Sequence, residues 1–197
     1  QWEGRGGSPP TTLDGVPALE EALLPSLEAL VVGFHKYVSA PGRETAVDDF
    51  ARSLGPGFLR PAVVGLMRAL KAKGWTVAVV SASPRQLVMA VLKHGGLLGN
   101  DGPVDVVIGA EPAVLGAGAQ PLVDDGAAHP AFSGKVRRLR AAFGGRDPAL
   151  VMGDSYGDAP MLAAARGCAV VVLNRDGPLE ELAQSQGWVV QRPGEGW

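Results

Sequence analysis

The run Val151-Met-Gly-Asp-Ser-Tyr-Gly-Asp158 decides how the chain is read. Ala149 to Met152 is short and continuously apolar, the pattern of a strand buried on both faces of a parallel sheet. A glycine follows at 153, and a helical segment is expected over 159–165. Two carboxylates, Asp154 and Asp158, therefore flank a strand-to-helix turn. In open α/β sheets, ligands bind beyond the carboxyl ends of the strands. An unpaired carboxylate at the end of a buried strand is costly, which favours a functional role for Asp154. Asp158 has the plainer reading of a helix N-cap beside the functional one. Hard divalent cations such as Mg²⁺ take oxygen ligands of this kind, commonly one or two carboxylates beside a substrate phosphate.

The alternation of strands and helices extends to both sides of this turn. Strands are expected over 76–80, 104–108, 169–173 and 188–190, and helices over 45–54, 61–73, 86–93, 135–143 and 179–185. Leu19, Leu23, Leu24, Leu27, Leu30 and Val31 recur at helical spacing in an earlier segment. Pro61 suits a first helical turn and Gly74 a stop. The stretch 109–134 is irregular and has room for a hairpin or a long surface loop. Apolar strands alternating with helices predict an α/β fold with a parallel sheet covered on both faces.

Two more junctions carry candidate chemistry. Ser81, in Ser81-Ala82-Ser83-Pro84, brings a hydroxyl to a strand end where following N–H groups can hold a phosphate oxygen. The alternative is that Ser81 and Ser83 merely cap the next helix. Lys135 opens the segment Lys135-Val-Arg-Arg-Leu-Arg140. A cation there opposes the helix dipole, so an anion nearby would explain it. Arg137, Arg138 and Arg140 read as a solvated basic face.

Composition excludes several classes. The 197 residues hold 18 Lys and Arg against 20 Asp and Glu, which gives no basic excess to grip nucleic acid. No apolar run approaches the ~20 residues of a membrane span. The single Cys168 has no internal disulfide partner, and His35, His94 and His129 show no metal spacing. A soluble intracellular protein is expected, in the cytoplasm or an organelle matrix or stroma. The 28 glycines and 16 prolines gather at the strand-to-helix turns, in 109–134 and in the first 17 residues. Residues 1–17 read as an extended arm able to wrap a protein partner. Because the sequence opens on Gln1, it is either a processed chain or a piece of a longer one.

Ser81-Ala-Ser-Pro84, Lys135-Val-Arg-Arg-Leu139 and Gly153-Asp-Ser-Tyr-Gly-Asp-Ala-Pro-Met-Leu162 resemble motifs II, III and IV of the haloacid dehalogenase superfamily. The likeness is strongest to its phosphoserine-phosphatase-like branch. It extends into the tail, through Val171-Val-Leu-Asn-Arg-Asp176 and Gly187-Trp188-Val189. The resemblance implies a three-layer, Rossmann-like core with a small helical cap. The expected division is an arm at 1–17, a cap-like helical segment at 18–60 and an α/β core at 61–197. It further implies Mg²⁺-dependent hydrolysis of a small phosphorylated metabolite through an aspartyl-phosphate. Ser81, Ala82 and Lys135 would bind phosphate, with Lys135 stabilising its charge, and Asp154 and Asp158 would serve the metal.

One departure sets the functional expectation. The family's motif I is a hydrophobic strand ending in Asp-x-Asp, whose first Asp is the nucleophile. The candidate here is Thr12-Leu-Asp-Gly-Val16, with Thr12 in the nucleophile's place and Asp14 in that of the acid/base. Prolines 9 and 10 before it suit a central strand poorly. A threonine hydroxyl is a weak nucleophile without an activating base, and one Mg²⁺ ligand is lost with the carboxylate. The expectation is a phosphatase-family protein impaired in catalysis, unless motif I lies upstream of Gln1. The alternative is a pseudoenzyme acting as a structural or binding subunit of a larger assembly.

Overall fold

The structure is a computed structural model that describes residues 9–111, 113–115, 118–120, 129–173 and 177–192. Two compact units are present: Ser26–Pro130 forms one, and the chain up to Pro25 joins Ala131 onward to form the other. This division by contact is of a different kind from arm, cap and core. Residues 1–8 of the expected arm lie outside the described residues, as do 121–128 of the irregular stretch. From Thr12 the chain is already structured. A 3-10 turn, Leu13–Gly15, closes on the Gly15 N–H to Thr12 O bond and leads into helix α1, Val16–Val38. The helix starts earlier and ends later than the leucine spacing predicts. It accommodates Pro25, which costs it one backbone bond.

The Ser26–Pro130 unit holds α2 (Ala46–Ser53), α3 (Pro61–Ala72), β1 (Ala78–Pro84), α4 (Arg85–His94) and β2 (Val106–Ala110). Strands β1 and β2 are parallel, with Ala78 opposite Val106 and Val80 opposite Ile108. Val77, Leu92, Leu97 and Val104 form the buried core, and Leu59, Val64, Met67 and Leu70 pack onto it. Asp105 fastens the end of α3 to the start of the sheet: it accepts the Val77 N–H at 2.9 Å and pairs with Lys71. Gly109 is required by close approach, because a Cβ there would lie 2.4 Å from the Cα of Arg85. Strands β3 (Ala113–Leu115) and β4 (Gly118–Gln120) form an antiparallel hairpin, one of the two outcomes left open for 109–134.

The other unit holds α5 (Ser133–Ala142), β5 (Leu150–Gly153), α6 (Ala159–Ala163), β6 (Cys168–Val172), α7 (Pro178–Ser185) and β7 (Val189–Gln191). Its sheet runs β5-β6-β7 with every strand parallel, Leu150 opposite Cys168 and Val170 opposite Val189. Val151, Val170, Val171, Val172, Leu162 and Leu182 are buried. Each such side chain stabilises the unit by about 1.5–3 kcal/mol relative to exposure. Helices and parallel strands in this alternation make the α/β fold that the sequence predicts. No helix among the described residues is long and apolar enough to cross a membrane.

Candidate phosphate site at the end of strand β5

Strand β5 delivers Gly153 and then Asp154 at its carboxyl end, and a 3-10 turn, Tyr156–Asp158, links it to α6. The turn is closed by a capping box between Ser155 and Asp158. Asp158 Oδ2 accepts the Ser155 hydroxyl at 2.7 Å and the N–H groups of Asp154 and Ser155 at 3.1 Å each. Its Oδ1 accepts the ammonium of Lys135 at 2.5 Å. Lys135 and Asp158 are 7% and 5% exposed, so this is a buried ion pair. Gly153 makes room for it: a Cβ there would stand 2.4 Å from the Asp158 Cβ. Asp158 does not cap α6, to whose start its side chain makes no bond; its carboxylate instead closes the preceding turn and holds the lysine.

Lys135 is the third residue of α5 and lies among the buried residues Gly134, Val136 and Leu139. The helix turns Arg137 and Arg140 to solvent but leaves Arg138 half-buried, so two of the three arginines make the expected basic face, and Arg140 pairs with Asp147 at 2.7 Å. The cation at the helix start is thus explained first by Asp158. The Asp154 side chain is exposed at the strand end. Tyr156, within the same turn, buries its hydroxyl without a hydrogen-bond partner. Burial, with a smaller contribution from Glu181, pushes its pKa up to about 12.

Ser81 and Ala82 belong to the Ser26–Pro130 unit. Strand β1 does not stop at Val80; it carries Ser81 to Pro84 with it, past an irregularity in register. The Ser83 N–H donates to Ser81 Oγ at 3.1 Å, and no side chain at the N-cap, Pro84, bonds the start of α4. Asp14 sits exposed on the 3-10 turn before α1, and residues 9–12 form no strand.

The described site residues supply a thin donor set for a cation. Asp158 Oδ2 already accepts three donors and its Oδ1 faces an ammonium. Among the described residues no group of three or more His, Cys, Asp or Glu stands ready to hold a metal ion. A cation site built from protein ligands alone is not assembled among the described residues; Mg²⁺ in general takes one or two carboxylates together with a substrate phosphate.

The sequence matches the family model of haloacid dehalogenase-like hydrolases over residues 9–163. The chain belongs to that family. The match takes in Thr12 to Asp14, Ser81, Lys135, Asp154 and Asp158. No curated protein and no solved structure shows significant similarity to the chain. Members of this hydrolase family usually use Mg²⁺, and the α/β alternation seen here is consistent with their Rossmann-like fold.

One contributor escapes sequence reading. Glu20, on α1, accepts the Ser133 hydroxyl at 2.6 Å and the Ser133 N–H at 3.3 Å. In the sequence Glu20 simply follows Leu19 in the leucine-spaced segment, and nothing there points to a partner 113 positions away.

Proposed function

We propose that this hydrolase-family chain binds the phosphoryl group of a small phosphorylated metabolite and turns it over poorly, on the alignment that sets Thr12 in the place of the family's nucleophilic carboxylate. The observation that carries the reading is the buried Lys135–Asp158 pair set at the end of β5 beside the exposed Asp154. Phosphoryl transfer depends mainly on positioning and charge stabilisation. The given sequence keeps groups for both, and its motif I candidate, Thr12 to Asp14, carries no carboxylate at its first position.

Lys135 and Asp158 pair with each other, and the Asp154 carboxylate is exposed beside them. Asp154 would hold a Mg²⁺ ion, which would supply positive charge to a phosphate dianion bound at this turn. Lys135 would donate to the phosphate from a stem fixed by burial, and Asp158 would hold the ammonium in place. The family resemblance implies a phosphate-binding role for Ser81.

Titration calorimetry of the full chain with inorganic phosphate tests this. The expected result is millimolar-range binding with Mg²⁺ present, weaker without it, and weaker again in Asp154→Asn and Ser81→Ala. Release of phosphate from p-nitrophenyl phosphate is expected to be near background. Robust Mg²⁺-dependent turnover abolished by Asp154→Asn would show a competent enzyme. Absence of phosphate binding in every condition would overturn the reading.

A second reading, a pseudoenzyme serving as a subunit of a larger assembly, has its own support. Helix α1 presents Leu30 and Tyr37 at 69% and 51% exposure, an apolar stripe of the kind interfaces use. Sedimentation of the native chain as a monomer, alone and in its source extract, would count against it.

A further inference from the structure

Helix α5 begins in an unusual way. Phe132, its N-cap, has φ 47° and ψ −124°, and it is the one non-glycine residue with positive φ among those described. A bulky side chain in that region costs on the order of 1–3 kcal/mol and persists only where its surroundings enforce it. Phe132 is 3% exposed, and its N–H donates to the Gly157 carbonyl at 3.0 Å, within the Asp154–Asp158 turn. The cap offers no side-chain acceptor of its own. Glu20 supplies one instead, receiving both the hydroxyl and the N–H of Ser133, the first residue of the helix.

Three ties therefore converge on four residues: Phe132 to Gly157, Ser133 to Glu20 and Lys135 to Asp158. A lysine stem has four rotatable bonds, and an ammonium it carries is well placed only if the backbone beneath it is fixed. A carboxylate at a helix N-terminus also offsets the dipole that disfavours a cation in the first turn. We infer that Glu20 is a positioning residue, whose carboxylate locks the start of α5 and so aims the Lys135 ammonium; this rests on the reading that Lys135 faces a bound phosphate. Glu20 acts through Ser133 and the backbone, without touching the ligand.

Simple electrostatics predicts the opposite sign, which makes the proposal testable. Removing a negative charge near an anion site strengthens anion binding by Coulomb's law alone. Positioning predicts weakening. The experiment uses the full chain and two readouts, calorimetry with inorganic phosphate plus Mg²⁺ and the ¹⁵N spectrum of the lysine ammonium groups, assigned with Lys135→Met. Glu20→Gln is expected to weaken phosphate binding about tenfold, comparable to losing one hydrogen bond to a charged group. It is also expected to broaden the Lys135 ammonium signal while the backbone amide spectrum stays native. Ser133→Ala should do the same, and Ser133→Thr, which keeps the hydroxyl, should restore both. Unchanged or tighter phosphate binding in Glu20→Gln with an unchanged Lys135 signal overturns the inference. If the parent chain binds no phosphate, the functional reading fails, and the ammonium signal alone then decides the role of Glu20.

Discussion

Replacing Lys135 by methionine removes one member of an ion pair whose side chains are only 9% and 7% exposed. Methionine keeps most of the aliphatic stem, so packing changes little and the electrostatic loss dominates. Asp158 would keep its three donors from Asp154 and Ser155, but its charge would lie buried with no countercharge. Breaking a buried pair in this way costs about 3–5 kcal/mol. In a chain of this size each kcal/mol moves Tm by about 2–4 °C, so a fall of roughly 6–20 °C is expected. Asp158→Asn should cost a similar amount, because its amide presents a donor to the ammonium. In the double variant, Lys135→Met with Asp158→Asn, neither charge remains and the amide oxygen still serves the turn. Its Tm should recover most of the loss. Thermal melts followed by circular dichroism measure all four corners of this cycle. If Lys135→Met alone moves Tm by less than about 3 °C, or if the two single losses simply add, the pair is not coupled as the geometry requires.

Other outcomes follow from the same structure. Gly153→Ala places a Cβ 2.4 Å from that of Asp158 and should destabilise by more than the ~1–3 kcal/mol typical of overpacking, with phosphate binding lost alongside; calorimetry of a folded sample would show both. Lys71, followed by the Val77 N–H, holds the Asp105 carboxyl below its ordinary pKa. A depressed carboxylate contributes stability above its unfolded pKa and loses it as pH falls through the folded one. Melts from pH 7 down to pH 2 should therefore fall less steeply for Asp105→Asn than for the parent, and parallel curves would refute the assignment. The chain has two tyrosines, so Tyr37→Phe isolates Tyr156. Its absorbance titration should centre near pH 12, and its contribution to stability should fade as pH rises from about 10 towards that value; a midpoint near 10 would mean the hydroxyl is wet.

The Asp154–Asp158 turn was legible because its signal is local. An apolar run, a glycine and a following helix lie within a dozen residues, and the structure places strand, turn and helix there. Lys135 was legible for a physical reason as well: a cation opening a helix needs an anion, and Asp158 is that anion. Ser81 shows the limit of local reading. Its hydroxyl reads as a phosphate ligand or a helix cap; in the fold it accepts the Ser83 N–H, a local bond that does not decide between them. Glu20 and Phe132 were out of reach, because one acts across 113 positions and the other through a backbone angle that composition does not encode. The exchange of Val38 for an earlier helix end has the same origin: leucine spacing marks a face, and α1 continues past it.

The unit containing the site is discontinuous, built from the chain's beginning and its last third, with Ser26–Pro130 between them. This orders events during synthesis. Emerging at 5–20 residues per second or so, the early segment waits several seconds before its partners leave the ribosome. Until Ser133 appears, the Glu20 carboxylate has nothing to cap, and until Asp158 follows, Lys135 has no counterion. The intervening unit, whose contacts are internal to one continuous stretch, can fold first. Bringing Glu20 to Ser133 then closes a loop already shortened by that folded insert, which lowers the entropy lost on closure. A truncation ending before Ala131 would leave the early helix without its fold, and nascent-chain proteolysis would find residues 9–25 cleavable until the last third is made.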